Sequence, residues 1–308
     1  MYTTSLEKIV DIFQLENMLP EIDLTNRMIS RKEINRPALQ LTGFYSRFDN
    51  DRMQILGRVE YCYLQSLTPE KRDESISHLF SQHIPCLIIC KDQPPFPEMI
   101  YYGKKYEIPL FCTNRVTTDL TAEMIMYLRS ELADRVMIHG VLVDVYGEGV
   151  LITGASGIGK SETALELVKR GHRLIADDAV EIKQVADKML VGTCPDLIRN
   201  LIEVRGIGII NVKELFGIGA VKLEKTVDLI IHLEVWDGGT SVTFDRLGLN
   251  EEYIEILGNN VLCNKIPIRP GRNVAVICEC AAIANRQRKM GHNTAQELAT
   301  KVVERQEK

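Results

Sequence analysis

The pattern of apolar and polar positions along the chain changes near residue 130. Before that point, short apolar runs such as PCLIIC (85–90) and IPLFCT (108–113) are typical of buried strands. From Thr118, the sequence TDLTAEMIMYLRSEL has the pattern of a helix with a capped start. Four residues of this helix are predicted to face inward: Leu120, Ile125, Met126 and Leu128. The alternation predicts a small α/β domain over residues 1–130, with docking or assembly as its expected role.

Strand patterns dominate the region after residue 130. RVMIHGVLVDVYGEGVLITG (135–154) predicts two strands around the turn YGEG. KSETALELVKR (160–170) then predicts a helix, and HRLIADDAVEIKQVADKMLVGT (172–193) predicts a strand ending in two aspartates. A hairpin that turns at ADK follows these aspartates. The hairpin favours a mixed sheet rather than one that is entirely parallel.

The last third of the chain completes a second predicted domain. TVDLIIHLEVWD (226–237) predicts a long strand. After about residue 273 the pattern predicts two helices with a break around Gly291. We therefore expect the second domain to span residues 131–308.

A phosphate-binding loop joins the predicted strand and helix near the middle of the chain. Gly154, Gly159, Lys160 and Ser161 fill the pattern GxxxxGK[ST], with Ala155, Ser156, Gly157 and Ile158 between them. The glycines let backbone N–H groups curve around phosphate oxygens, and the following helix directs its positive end at the same anion. Lys160 is predicted to reach the terminal phosphates, and the Ser161 hydroxyl to bind Mg²⁺. A chance glycine-rich turn is the alternative, and the flanking strand and helix argue against it.

Asp177 and Asp178 follow the next predicted strand. A carboxylate at such a strand end can face Mg²⁺ and the terminal phosphate. Because adjacent side chains on a strand point to opposite sides, one aspartate could face the metal and the other an acceptor hydroxyl. A solvated turn is the alternative. His139 is on an apolar strand, where a core role is common, and gains a catalytic role only if the two strand ends meet.

The segment IEVRGIGIINVKELFG (202–217) brings further charged groups. Glu203 and Arg205 are two residues apart and share one face if the segment is a strand. Gly206 and Gly208 are expected to allow close backbone approach. The carboxylate and guanidinium suit metal and phosphate binding, whereas an ordinary surface ion pair is the alternative.

Composition narrows the class of protein. The chain has 308 residues, 45% of them hydrophobic and 26% charged, with a net charge of −5 and eight cysteines. The acidic balance argues against nucleic acid as a partner, and the lack of 18 consecutive apolar residues argues against a membrane span. The cysteines lack zinc spacing and are expected to be reduced, and the first residues do not resemble a signal peptide. We therefore expect a cytoplasmic protein.

The sequence closely resembles the HPr kinase/phosphorylase family. The resemblance rests on GASGIGKS, on ADDAVEI, on FDRLGL and above all on EVRGIGIINV (203–212), and it extends over the whole chain. It implies phosphorylation of a serine of HPr with ATP or pyrophosphate, and removal of that phosphate by phosphorolysis with inorganic phosphate. It also implies Mg²⁺, activation by fructose 1,6-bisphosphate, a hexamer, and a catalytic domain like that of phosphoenolpyruvate carboxykinase.

The resemblance also implies roles for individual residues. Asp178 would be the base that takes the serine proton, and the acid in the reverse direction, supported by His139. Lys160 and Arg246 would stabilise the phosphates in transfer, and Ser161 and Glu203 would hold Mg²⁺.

The segment NKIPIRPGRN (264–273) has two prolines and a glycine that exclude regular helix and interrupt a strand, so a loop is expected. Arg269 and Arg272 could let this basic loop hold free phosphate or phosphoserine, and a plain surface connection is the alternative. The family resemblance implies that this loop serves mainly dephosphorylation. Its residues are Ile266, Pro267, Ile268, Arg269, Pro270 and Gly271.

Two other functions fit the phosphate loop. A kinase for a small metabolite would keep Lys160, Ser161 and Asp178 but would need a closed acceptor pocket. A nucleotide-gated regulator would need metal ligands but no base beside an acceptor.

Overall fold

The computed structural model describes residues 2–235, 251–269 and 271–298. The chain divides into two compact units, Met1–Asp134 and Arg135–Lys308. Among the described residues, none of the helices combines the length and apolarity that crossing a membrane requires.

The N-terminal unit contains both strands and helices. Its strands are β1 Thr4–Ser5, β2 Glu16–Asn17, β3 Met28–Ile29, β4 Ile34–Asn35, β5 Met53–Leu56, β6 Leu87–Cys90 and β7 Leu110–Thr113. Its α-helices are α1 Leu6–Phe13, α2 Arg58–Ser66, α3 Pro69–Ser81, α4 Pro97–Tyr106 and α5 Thr117–Glu131, and Gln40–Thr42 forms a 3₁₀ turn.

A five-stranded sheet in the order β2-β7-β6-β5-β4 organises the N-terminal unit. Strands β4 to β7 are parallel, and β2 runs antiparallel to β7. Strand β6 is buried on both faces, since Leu87 and Ile89 face one hydrophobic core while Ile88 and Cys90 face another. Burial on both faces explains the continuous apolar run at this strand.

Of the four inward positions predicted for α5, Leu120 and Leu128 are confirmed, Ile125 is half-buried and Met126 is wrong. Met126 is 72% exposed, whereas Leu120, Met124 and Leu128 are fully buried. These three residues are spaced four apart and share one face of the helix, and Met126 lies halfway between two of them, on the opposite face.

The C-terminal unit carries most of the strands. They are β8 Arg135–His139, β9 Val141–Val145, β10 Glu148–Gly154, β11 Arg173–Ala176, β12 Ala179–Ala186, β13 Met189–Thr193, β14 Leu201–Val204, β15 Gly208–Asn211, β16 Glu224–Thr226, β17 Leu229–Val235, β18 Glu252–Ile256 and β19 Asn259–Ile268. Its α-helices are α6 Lys160–Lys169, α7 Val212–Phe216 and α8 Val274–Lys289, with 3₁₀ turns at Asp196–Ile198 and Ile218–Ala220. Residues 294–298 are also helical, which agrees with the predicted break at Gly291.

The main sheet of this unit has six strands in the order β11-β9-β10-β17-β19-β18. Strands β10, β17 and β19 are parallel, and the other pairs are antiparallel. The predicted α/β fold with a mixed sheet is therefore confirmed. On β10, Val150 and Ile152 pack with helices α6 and α8, while Leu151 packs with a second, four-stranded sheet in the order β16-β13-β12-β8.

The first strand predicted in this unit is two strands. β8 pairs with β12 in the four-stranded sheet, whereas β9 pairs with β10 in the six-stranded sheet. The chain crosses between the sheets at Gly140, where a Cβ atom would lie 2.7 Å from the carbonyl oxygen of Ile152. Glycine is required here by close backbone contact, which an apolar pattern does not reveal.

The loop predicted at 264–273 begins later than expected. Strand β19 continues through Pro267 to Ile268, and Pro267 pairs in register with Glu234 of β17. Strand β18 covers the other side of β19 only as far as Cys263, so Pro267 lies where that side has no pairing partner among the described strands. A proline is tolerated at such an edge position because no ladder hydrogen bond is lost. Pro270 lies outside the described residues, and Gly271 has a φ of 81°.

Candidate active site

The phosphate loop connects β10 directly to α6. Gly154, Gly157 and Gly159 have φ angles of 140°, 80° and 100°, values that favour glycine. A Cβ atom at Gly154 would lie 2.5 Å from the carbonyl oxygen of Leu233, so β10 can approach β17 only with glycine here. The backbone of the loop is thus shaped for anion binding, with the N-terminus of α6 behind it.

Lys160 crosses back over the loop that it follows. Its side chain is largely buried, and Nζ donates hydrogen bonds to the carbonyl oxygens of Gly154 at 3.0 Å and Ala155 at 3.1 Å. These bonds hold the ammonium group at the mouth of the loop, where it lines the cleft.

Asp177 is the buried partner of the phosphate loop. The Ser161 hydroxyl donates to its carboxylate oxygens at 2.9 and 3.1 Å, and the backbone N–H of Glu203 donates to Oδ2 at 3.1 Å. Burial raises the pKa of Asp177 above its ordinary value, and the hydrogen bonds from Ser161 and Glu203 offset part of this rise. The sequence allowed one of the two aspartates to face a metal, and the structure places Asp177, rather than Asp178, beside Ser161.

Asp178 and His139 meet at the edge of the same cleft. His139 Nδ1 is 3.0 Å from Asp178 Oδ1, and both side chains are more than half exposed. The strand ends are held together because Ala179 pairs with His139 and the Gly140 N–H donates to the Asp178 carbonyl at 3.1 Å. His139 therefore lies outside the core and faces the cleft with Asp178.

The two aspartates diverge for a reason that differs from the predicted one. Strand β11 ends at Ala176, so neither aspartate belongs to it. Asp178 has a φ of 69°, a left-handed conformation, and the sharp bend sends one carboxylate inward and the other into the cleft. Non-glycine residues in this conformation are concentrated at turns and functional sites.

The hairpin of β14 and β15 covers the other side of the cleft. Glu203 and Arg205 both line the cleft, but Arg205 lies in the turn beyond the end of β14, and the two form no ion pair within the described residues. The close backbone approach predicted for Gly206 and Gly208 is not found among the described residues. Their φ angles are 83° and 101°, and a Cβ atom on either would meet no described atom within 4 Å, so within this part of the structure it is the conformation that requires glycine.

Two predicted parts of the site are not in the described cleft. Arg246 lies outside the described residues. Of the described residues from 264 to 273, none lines the cleft, and Ile266 and Ile268 instead pack against the core beneath the phosphate loop.

Two family models together match most of the chain. The HPr serine kinase C-terminal domain matches residues 130–302, and the HPr serine kinase N terminus matches residues 4–128. The chain belongs to the HPr serine kinase family. The family predicted from the sequence motifs is therefore confirmed.

Relatives in the HPr serine kinase family are similar over nearly the full length. The chain is 53% identical over 302 residues to the HPr kinase/phosphorylase of Lachnoclostridium phytofermentans, covering 98% of this chain and 97% of that protein. It is 51% identical over 302 residues to the HPr kinase/phosphorylase of Caldicellulosiruptor bescii, covering 98% and 96%. Among solved structures, the Hpr(Ser) kinase/phosphatase from Coxiella burnetii aligns with 53% of this chain and 98% of that chain, at 36% identity and a TM-score of 0.48.

The oxygen atoms beside the phosphate loop of this HPr serine kinase family member fit a magnesium ion. The Ser161 hydroxyl and the Asp177 carboxylate lie side by side, and the exposed Glu203 side chain lines the same cleft. Within the described residues no group of three or more His, Cys, Asp or Glu side chains is placed to hold a metal. Such a sparse oxygen set is typical of Mg²⁺, which is commonly held by one or two carboxylates together with substrate phosphates and water.

Replacement of Asp177 by asparagine is expected to make the ligand-free protein less sensitive to rising pH. The raised pKa means that the folded protein binds this proton more tightly than the unfolded chain does. Its contribution to stability is therefore lost as pH rises from the ordinary aspartate value through the raised one. The asparagine side chain carries no buried charge. Melting temperatures measured from pH 4 to pH 8 should therefore show that Asp177→Asn becomes more stable relative to the original protein as the pH rises.

Magnesium provides the matching control for this prediction. Mg²⁺ with ATP should raise the melting temperature of the original protein more than that of Asp177→Asn, because the variant lacks the carboxylate ligand. A difference in melting temperature that is constant across pH and unaffected by Mg²⁺ would show that Asp177 has neither role.

Proposed function

We propose that this protein phosphorylates a serine of the phosphocarrier protein HPr with ATP or pyrophosphate, and removes the phosphate with inorganic phosphate to give pyrophosphate. The observation that carries the proposal is the Asp178–His139 pair in the cleft beside the phosphate loop. Full-length similarity to two HPr kinase/phosphorylases supports the choice of substrate.

The forward reaction needs a base at the acceptor. The serine hydroxyl attacks the terminal phosphorus while Asp178 takes its proton, and the bond between that phosphorus and the bridging oxygen breaks to release ADP. His139 positions the carboxylate through the 3.0 Å contact with Asp178. General-base catalysis of this kind contributes about 10²–10⁴ in rate.

Charge and position supply the rest of the rate. Lys160 and Arg246 are assigned to the phosphates in transfer, and Ser161, Asp177 and Glu203 to Mg²⁺. When bound, Mg²⁺ neutralises negative charge on the phosphates. Lys160 is preset for its role by the carbonyl groups that hold it at the loop.

The reverse reaction uses the same groups. An oxygen of inorganic phosphate attacks the phosphorus of phosphoserine, the bond to the serine oxygen breaks, and protonated Asp178 returns its proton to that oxygen. Pyrophosphate and the free hydroxyl are the products. One cleft can serve both directions because both pass through a similar arrangement of charge.

The wider proposal includes assembly, regulation and location. A homohexamer, activation by fructose 1,6-bisphosphate and a cytoplasmic location follow from the family resemblance and the sequence. The boundary near residue 130 and a docking or assembly role for the N-terminal domain belong to the same proposal. Analytical ultracentrifugation with and without fructose 1,6-bisphosphate tests the assembly.

An assay with labelled ATP and purified HPr tests the proposed kinase activity. Label should appear on HPr, and an HPr variant with alanine at the acceptor serine should stay unlabelled. A small-metabolite kinase or a nucleotide-gated regulator would leave HPr unlabelled in both reactions. The exposed Asp178 carboxylate already disfavours a regulator, which needs no base.

Arg269→Ala is expected to weaken phosphorolysis much more than the kinase reaction. Arg269 directly follows the end of β19 and does not line the described cleft, so the prediction rests on the family resemblance. ATP also has additional anchors in the phosphate loop and Mg²⁺ that free phosphate lacks. Both rates should be measured on one preparation, at saturating ATP and across a phosphate titration.

Lys265→Ala is the control for this prediction. Lys265 is a cation on β19 itself, paired with Glu252 at 2.6 Å, and its loss should affect neither direction. Equal losses of both activities in Arg269→Ala would recast Arg269 as a general structural or HPr-docking residue.

A further inference from the structure

Arg205 lies against the phosphate loop from the opposite side of the cleft. A Cβ atom placed on Gly157 would be 2.5 Å from Nη2, 2.7 Å from Nη1 and 2.9 Å from Cζ of Arg205. The guanidinium group therefore packs on the backbone of Gly157, in the space that the side chain of any other residue at this position would fill. Gly157 thus serves two purposes, since its φ of 80° also favours glycine.

The hairpin that carries Arg205 is anchored to Asp177. The Glu203 N–H donates to Asp177 at 3.1 Å, which fixes the end of β14 beside Ser161. After Val204 the chain turns, with the Ile207 N–H donating to the Val204 carbonyl at 3.0 Å. The anchor and the turn set the position of Arg205 over the loop.

Charge in the cleft indicates what Arg205 can bind. The described lining includes four carboxylates, from Glu162, Asp177, Asp178 and Glu203, but only two permanent cations, Lys160 and Arg205. A phosphate group that enters this cleft meets an excess of negative charge. Among the described residues no carboxylate forms an ion pair with Arg205, so its donors remain available to a ligand.

We propose that Arg205 is a phosphate-binding residue, which grips the terminal phosphoryl group between the phosphate loop and Asp178. Its planar fork can donate to two phosphate oxygens at once, which the ammonium group of lysine cannot do. Lys160 holds the group from the loop side and Arg205 holds it from the hairpin side. A role for Arg205 in transfer rests on the proposed function, whereas its binding of phosphate does not.

The consequence differs among ligands. Pyrophosphate and inorganic phosphate depend on the phosphate contacts alone, whereas ATP adds contacts of its base and ribose. Arg205 should therefore matter more for pyrophosphate than for ATP. Loss of charge-assisted hydrogen bonds of this kind is expected to weaken pyrophosphate binding by roughly 10- to 100-fold.

Calorimetric titration with magnesium pyrophosphate, without HPr, tests the inference. Arg205→Ala should lose affinity by this factor, and Arg205→Lys should recover only part of it, because it restores charge but not the fork. Arg199→Ala is the matched control, since Arg199 pairs with Asp196 and lies outside the described cleft. Titration with magnesium ATP should show a smaller loss in Arg205→Ala.

The outcomes separate this inference from the proposed function. The role of Arg205 would be overturned if Arg205→Ala bound pyrophosphate with the affinity of the original protein. It would also be overturned if Arg205→Ala and Arg199→Ala lost the same amount of affinity for pyrophosphate. Melting temperatures identify any unfolding, and Arg205→Gln, which keeps most of the side-chain volume, must show the same loss of affinity while folded. If pyrophosphate binding depends on Arg205 but HPr receives no phosphate, the proposed substrate is wrong and the phosphate site stands.

Discussion

Lys160→Ala is expected to abolish both the kinase and the phosphorylase activity. The ammonium group is the cation that the phosphate loop itself supplies, and both directions place phosphates there. Removal of one preorganised donor to a developing charge costs about 10²–10³ in rate, and the loss of a full charge should reach at least this range. Initial rates of HPr phosphorylation and of pyrophosphate release from phospho-HPr measure the two effects.

Two further variants separate chemistry from folding. Lys160 is largely buried, so alanine also removes packing, whereas Lys160→Met keeps most of the side-chain volume without the charge. Lys169→Ala removes an exposed lysine from the last turn of the same helix and should leave both rates unchanged. Turnover of phospho-HPr by Lys160→Met at the original rate would show that the reverse reaction uses another site.

Asp178→Asn is expected to reduce turnover far more than ATP binding. Asparagine is close in size and can keep a hydrogen bond to His139, but it cannot accept the serine proton. The expected loss is about 10²–10⁴ in kcat, with little change in the Kd for ATP. Single-turnover transfer to HPr, together with ATP titration, measures the two quantities separately.

The contact with His139 gives this prediction a second test. If His139 acts through Asp178, His139→Ala should slow the original protein but add little to the loss in Asp178→Asn. A collapse of ATP affinity in Asp178→Asn, with high residual turnover, would instead make Asp178 a nucleotide ligand. Fully additive losses would show that His139 acts on its own.

Local patterns predicted the parts of this fold that depend on neighbouring residues. The phosphate loop, helix α6, and the hairpin of β12 and β13 with its turn at Lys188 were all predictable, because turn chemistry and periodicity are local. The end of β11 was predicted to within two residues, since the strand was expected to include the two aspartates but stops at Ala176.

Features set by long-range contacts were not predictable in this way. Gly140 separates two strands of different sheets because of the carbonyl of Ile152, and Pro267 continues a strand because one side of β19 lacks a partner there among the described strands. The contact of Arg205 with Gly157 joins residues 48 positions apart in sequence, a separation that no local pattern reveals. His139 likewise could be placed beside Asp178 only once the pairing of β8 with β12 was known.

The most direct test of the account is phosphorolysis by the same site that carries out phosphorylation. Phospho-HPr and labelled inorganic phosphate should yield labelled pyrophosphate with the original protein. Lys160→Met and Asp178→Asn should lose this activity in proportion to their loss of kinase activity. Release of labelled pyrophosphate by both variants at the original rate, or release of the HPr phosphate as unlabelled inorganic phosphate, would contradict a single cleft that transfers phosphate in both directions.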